Sequence, residues 1–133
     1  MGVRIIVDSS TDVAERYRDL VQAVPLTVTF GQEEYFDGVT LDKQEFYRKL
    51  VECDTLPTTS QATPAAFDRV FREIAAAGDS AVVLTLASTL SGTYQSAVLA
   101  AEGYEHIYVV DSMTVAIGTG VLAEYAVELT KLG

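Results

Sequence analysis

Histidine and cysteine each occur once, as His106 and Cys53, and tryptophan is absent from the 133 residues. One histidine and one cysteine are too few ligands for a zinc site. Carboxylate-only cation sites remain open, but Asp8, Asp37 and Asp111 do not have the spacing of a calcium loop. A single cysteine forms no internal disulfide, which fits a reducing cytoplasm. A Ser-His-Asp triad would have to use His106, which stands at the start of a strand-like run, away from the polar turns. Basic residues are scarce too: 9 Lys and Arg stand against 19 Asp and Glu, a formal net charge of −10. Such a chain is a poor candidate for a nucleic-acid backbone or an anionic membrane surface, both of which need clustered basic charge. No apolar run is long enough to span a bilayer, so stable membrane insertion is not expected. No secretory signal is visible, and the expected location is the cytoplasm. Neither a P-loop nor a G-x-G-x-x-G run is present.

What the chain does have is apolar volume. Hydrophobic residues make up 49% of it, and 7 Tyr and 5 Phe supply the aromatic part. The length suits one compact domain, residues 1–133. Short β-branched runs alternate with helical patterns. Residues 3–7 read as a strand stopped by Asp8-Ser9-Ser10-Thr11-Asp12, and Thr11 or Asp12 can cap a weakly apolar helix over residues 13–20. Pro25 opens a second β-rich stretch and belongs at a strand start or a sheet edge. Asp42 is placed to cap a helix carrying Phe46, Tyr47, Leu50 and Val51 on one face. Residues 54–63 are polar and without clear periodicity.

Thr63-Pro64 is an N-cap followed by proline at the first helical position, and Phe67, Val70, Phe71 and Ile74 follow at helical spacing up to Gly78. Residues 81–86 and 106–110 read as two further strands, the second closed by Asp111-Ser112. The last helix, from about residue 115, is expected to bury Val121, Leu122, Tyr125, Ala126 and Leu129. Gly118-Thr119-Gly120 inside it suits close packing better than a phosphate cradle. The alternation predicts a layered α/β fold, with a mainly parallel sheet flanked by helices and an antiparallel edge near Pro25.

Ligands in such sheets gather outside the carboxyl ends of the strands. Asp8-Ser9-Ser10, the stretch Ser88-Thr89-Leu90-Ser91-Gly92-Thr93-Tyr94-Gln95-Ser96 and Asp111-Ser112 all follow strands, so they are expected on one rim. A strand, a hydroxyl-rich turn and then a helix place free N–H groups where an anion is favoured. Ser91, at the expected N-cap, either caps the helix or turns its hydroxyl to a ligand. Gly92 carries no side chain to hold a ligand off the backbone. The hydroxyls of Thr58-Thr59-Ser60-Gln61 have the same two readings. Two neutral donor turns could clamp one carboxylate. An alternative chemistry is a small hydrolase or phosphoryl-transfer protein using Asp8 or Asp111 with a metal. Another is a protein-interaction domain with no lipid ligand.

Six pieces, in order, resemble the bacterial DegV family of fatty-acid-binding proteins. They are Ile6-Val7-Asp8-Ser9-Ser10, Pro25-Leu26, Tyr35-Phe36-Asp37-Gly38, Pro57-Thr58-Thr59-Ser60-Gln61, Leu90-Ser91-Gly92-Thr93-Tyr94-Gln95-Ser96 and Val110-Asp111-Ser112. The resemblance implies that Thr59 and Ser91 contact a fatty-acid carboxylate, with Ser60, Gly92 and Thr93 in support. It implies a non-enzymatic lipid carrier, with fatty acid as the ligand and no cofactor or metal. It also implies an acyl-carrying subunit that presents the acid to a separate fatty acid kinase subunit. Full-length members have a second domain of similar size, so the chain is expected to correspond to the amino-terminal domain. Alone, it is expected to bind lipid weakly or not at all, and to expose apolar residues such as Leu56, Leu90 and Ile117 near the hydroxyl turns.

Overall fold

The structure, a computed structural model, describes residues 2–52 and 56–132. Cys53 and the start of the polar 54–63 segment lie outside the described residues. The described residues build two sheets. The first runs β2-β1-β6-β7, with β1 at Val3–Asp8, β2 at Val21–Val24, β6 at Ser80–Thr85 and β7 at Ile107–Asp111, and every pairing in it is parallel. The second is antiparallel, in the order β4-β3-β5, with β3 at Thr27–Phe30, β4 at Glu33–Phe36 and β5 at Thr58–Ser60. Among the described residues there are four α-helices: α1 (Lys43–Glu52), α2 (Pro64–Ala76), α3 (Thr93–Ala101) and α4 (Ile117–Thr130).

Central parallel strands are covered on both faces, so they are continuously apolar and do not alternate. Ile5, Ile6 and Val7 of β1 are all buried. Ile6, Ala81 and Val83 pack on one face against Phe67, Phe71, Ile74 and Ala97 of α2 and α3. Ile5, Val7 and Leu84 pack on the other against Ala123 and Val127 of α4 and against Tyr17. The small sheet has its own cluster of Val28, Phe30 and Leu41, with Tyr35 and Phe46 packed against it.

The start of α2 follows its sequence signal. Thr63 Oγ1 accepts the Ala66 N–H at 3.1 Å, Pro64 needs no N–H partner, and Gly78 turns the chain away at φ +74°. Phe67, Phe71 and Ile74 are fully buried on one stripe, each contributing about 1.5–3 kcal/mol by area. Asp42 caps α1 as expected, accepting the Glu45 N–H at 2.8 Å.

Four expectations change. The helix expected over residues 13–20 is a 3-10 helix at Glu15–Leu20, entered from Ala14 with no side-chain cap. Asp12 instead donates its N–H to the Ala116 carbonyl at 3.2 Å. Only Tyr17 of that segment is buried, too little apolar surface to hold a full α-turn. The polar stretch contains β5, a strand whose three residues are all exposed and so show no alternation. The antiparallel pairing expected near Pro25 exists, but as a separate sheet reached through the Pro25-Leu26 link.

The fourth change concerns helix faces. No residue of α1 is buried: Phe46 is half-buried beside Phe30, while Tyr47, Leu50 and Val51 are exposed. In α4 the buried residues are Thr119, Gly120, Ala123 and Val127, while Val121, Leu122, Tyr125 and Leu129 are exposed and Ala126 is half-buried. Apolar residues surround α4, so periodicity cannot choose its inner face. Close approach chooses it: a Cβ on Gly120 would lie 1.6 Å from the Asp12 carbonyl oxygen. Only the small-residue stripe can come that near.

Candidate functional site

The carboxyl edge of the parallel sheet carries three polar turns, and they differ in what their side chains have left to offer. After β1, Asp8 is fully buried. Its Oδ2 accepts the Leu86 N–H at 2.7 Å, and its Oδ1 accepts the Ser10 N–H at 2.9 Å and the Ser10 hydroxyl. Ser9 Oγ accepts the Leu26 N–H at 2.9 Å, fastening the link to the small sheet. After β7, Asp111 accepts the Met113 N–H at 2.9 Å and both the N–H and the hydroxyl of Ser88, at 3.2 and 2.6 Å. The Ser88 hydroxyl, then the Met113 N–H, hold its carboxyl below the ordinary value of 3.8. Asp8 and Asp111, the residues of the hydrolase alternative, are therefore occupied as ties between turns. Among the described residues no group of three His, Cys, Asp or Glu could hold a metal ion. His106 is exposed just before β7, at the opposite end of the sheet.

The turn after β6 is built of hydroxyls. The first residue of α3 is Thr93 and its N-cap is Gly92, one residue beyond the expected cap. Ser91 is half-buried. Its Oγ accepts the Thr93 N–H at 3.2 Å and lies 2.9 Å from Thr93 Oγ1. Thr93 is fully buried, and its Oγ1 also accepts the Ala62 N–H at 3.3 Å. That bond fastens the chain just after β5 to the start of α3. Thr59 and Ser60 belong to β5 and are exposed, with Thr59 directly opposite Val28 of β3. Directly opposite residues share a sheet face, so Thr59 sits on the face that carries Val28.

Gly92 takes a part that sequence did not predict. The side chain of Gln61 lies across it, with Oε1 1.9 Å from where a Cβ would stand, and Gln61 Nε2 donates to Ser96 Oγ at 3.3 Å. The space expected to be open above the Gly92 backbone holds a side-chain amide. Gln61 closes the run Thr58-Thr59-Ser60-Gln61, but its meeting with a glycine 31 positions later has no local sequence signal.

Exposed apolar side chains flank the polar turns along the chain. Leu56, Leu90 and Ile117 are exposed, as expected, at 81%, 64% and 70%. Met113 is 83% exposed in the segment between β7 and α4. There Met113 and Ala116 adopt φ +60° and +53°, a costly conformation for residues with a Cβ. The Asp111 carboxylate on the Met113 N–H, and the Ala116 carbonyl on Asp12, hold that segment in place. No helix among the described residues is long and apolar enough to cross a membrane.

A helix-flanked parallel sheet with its polar turns gathered at the strands' carboxyl edge makes this a layered α/β protein of the kind that places ligands at that edge. The chain belongs to the DegV family, whose family model matches residues 2–133. A DegV domain-containing protein of Caldanaerobacter subterraneus is 37% identical over 98% of this chain and 48% of its own length. Among solved structures, one showing fatty acid binding of a DegV family protein from Thermus thermophilus superimposes with a TM-score of 0.86 at 35% identity, covering 100% of this chain and 49% of that one. A stearic acid-binding protein from Eubacterium ventriosum gives 0.88 at 31%, covering 100% and 48%. DegV of Bacillus subtilis, a fatty acid binding protein, gives 0.89 at 30%, covering 100% and 49%. The chain spans about half the length of the curated relatives it matches.

Proposed function

We propose that this chain binds a long-chain fatty acid at the carboxyl edge of its parallel sheet. Thr59 and Ser91 take the carboxylate, and Ser60, Gly92 and Thr93 support them. The observation that carries this is the fastening of the two hydroxyl turns by the Ala62–Thr93 bond, beside the exposed Leu90. Both turns offer neutral donors, and α3 adds the positive end of its dipole. The apolar side chains offer the acyl tail a surface, at about 0.8 kcal/mol for each methylene buried. The tail then supplies most of the affinity and the hydroxyls supply orientation. Fatty-acid binding by the Thermus, Eubacterium and Bacillus relatives supports this assignment.

The role we propose is carriage, not catalysis. Asp8 and Asp111 have their oxygens engaged by neighbouring N–H and hydroxyl groups, which leaves neither free to act as a base. In the cell the chain would act as, or within, an acyl-carrying subunit that presents the acid to a separate kinase subunit. A second domain like the other half of its relatives would cover the exposed Leu90, Met113 and Ile117 and complete the enclosure. Without that wall, less tail area is buried and binding is weak.

Native mass spectrometry of gently purified protein tests the function. Weak uptake of added oleate by this chain, and a co-purified long-chain acid when a second domain completes the enclosure, are the expected results. Metal-dependent turnover with no acid bound would favour the hydrolase alternative. Equal oleate affinity for this chain and a two-domain relative would show that the walls are already complete here.

A further inference from the structure

The two hydroxyl turns come from different sheets, and among the described residues two hydrogen bonds join them. One is the Ala62 N–H on Thr93 Oγ1 at 3.3 Å. The other is Gln61, whose side chain crosses the gap, lies in the notch left by Gly92 and reaches Ser96, one turn into α3. Ser96 is itself buried and donates its N–H to the Gly92 carbonyl at 3.0 Å, so the far end of this tie is anchored in the helix start.

We propose that Gln61 is the positioning residue that locks the Thr59 turn to the Ser91 turn, and that Gly92 is glycine in order to seat it. The proposal rests on the fatty-acid function given above and assigns a residue to that same site. Gly92 has φ −76°, a value open to any residue, so backbone conformation does not demand glycine there. Space does: the nearest atoms to a Cβ at 92 are Gln61 Oε1 at 1.9 Å, Cδ at 2.7 Å and Nε2 at 3.2 Å. All three belong to the tip of a flexible side chain. Alanine at 92 therefore pushes the amide aside without breaking the backbone. Gln61→Ala removes the clamp, and Gly92→Ala removes its seat. Because both act on one contact, their effects do not add.

The test is the cycle of Gln61→Ala, Gly92→Ala and the double variant, read in two ways. Amide hydrogen exchange at Ala62 and Thr93 reads the clamp without added ligand, and an oleate titration reads the site. Each single variant is expected to speed exchange at both amides by about three- to tenfold, the loss of one hydrogen bond, with the double variant no faster than either. Oleate affinity is expected to fall by a similar factor in all three, while amides of β1 and β6 exchange as in the parent. Parental exchange rates in Gln61→Ala, or single effects that multiply in the double variant, overturn the proposal. So does unchanged oleate affinity in Gln61→Ala when the parent binds. The exchange arm decides the clamp whether or not oleate binds, so its failure and that of the fatty-acid function are separate results.

Discussion

The turn after β1 and the turn after β6 stand on neighbouring strands at one edge of the parallel sheet, and both are rich in short polar side chains. In the first, the buried Asp8 carboxylate accepts from Leu86 and Ser10, and Ser9 accepts from Leu26. In the second, Ser91 is half-buried, bonded among the described residues to Thr93 of its own turn, and next to the exposed Leu90. A buried carboxyl group whose two oxygens both accept hydrogen bonds is architecture, since it is tied to its neighbours and removed from solvent. A partly exposed hydroxyl at a helix start still has something to give a ligand. Residue type alone does not separate the two. Occupancy by neighbours does.

The largest test of that contrast is Asp8→Asn. The shape is kept, but one oxygen becomes an NH2 facing N–H donors at Leu86 or Ser10. Leaving buried donors unpaired costs about 1–3 kcal/mol each. We expect about 3 kcal/mol of lost stability by urea unfolding. A loss below about 0.5 kcal/mol would mean that Asp8 is not the tie its bonds describe.

Ser91→Ala is expected to do the reverse. Folding loses about 1–2 kcal/mol, because the Thr93 N–H loses its side-chain acceptor and the buried Thr93 hydroxyl loses its Ser91 partner while keeping the Ala62 N–H. Fatty-acid affinity in a two-domain setting falls by about 1–3 kcal/mol by calorimetry. Unchanged affinity would remove this hydroxyl from the site.

The smallest expected effect is on acid stability, through Asp111. Its folded carboxyl is held below the ordinary 3.8 by Ser88 and Met113. A depressed carboxylate contributes stability that is present above the unfolded value and is lost as pH falls through the folded one. The stability gap between the parent and Asp111→Asn is therefore expected to be widest at neutral pH and to close below about pH 4. A gap that widens in acid would contradict the assignment.

Much of the body was legible because its signals are local. The β-branched runs of β1 and β6 cannot escape burial, and Thr63-Pro64 with Gly78 brackets α2. β5 was hidden because Thr58, Thr59 and Ser60 are all exposed, leaving no alternation to read. The inner face of α4 was hidden because apolar residues surround the helix, and only the approach of Gly120 to Asp12 decides which side packs. At the candidate site, Thr59 and Ser91 stood out through their motifs. The part played by Gln61 did not, because it depends on Gly92 arriving beneath it from another sheet.

The most direct measurement is a carbon NMR titration of carboxyl-labelled oleate into the parent and into a Thr59→Ala/Ser91→Ala double variant. The account predicts a bound carboxyl signal for the parent, shifted by hydrogen bonding, and its loss in a double variant that remains folded. The same bound carboxyl shift in both proteins would contradict it, and would place the carboxylate somewhere other than between these two turns.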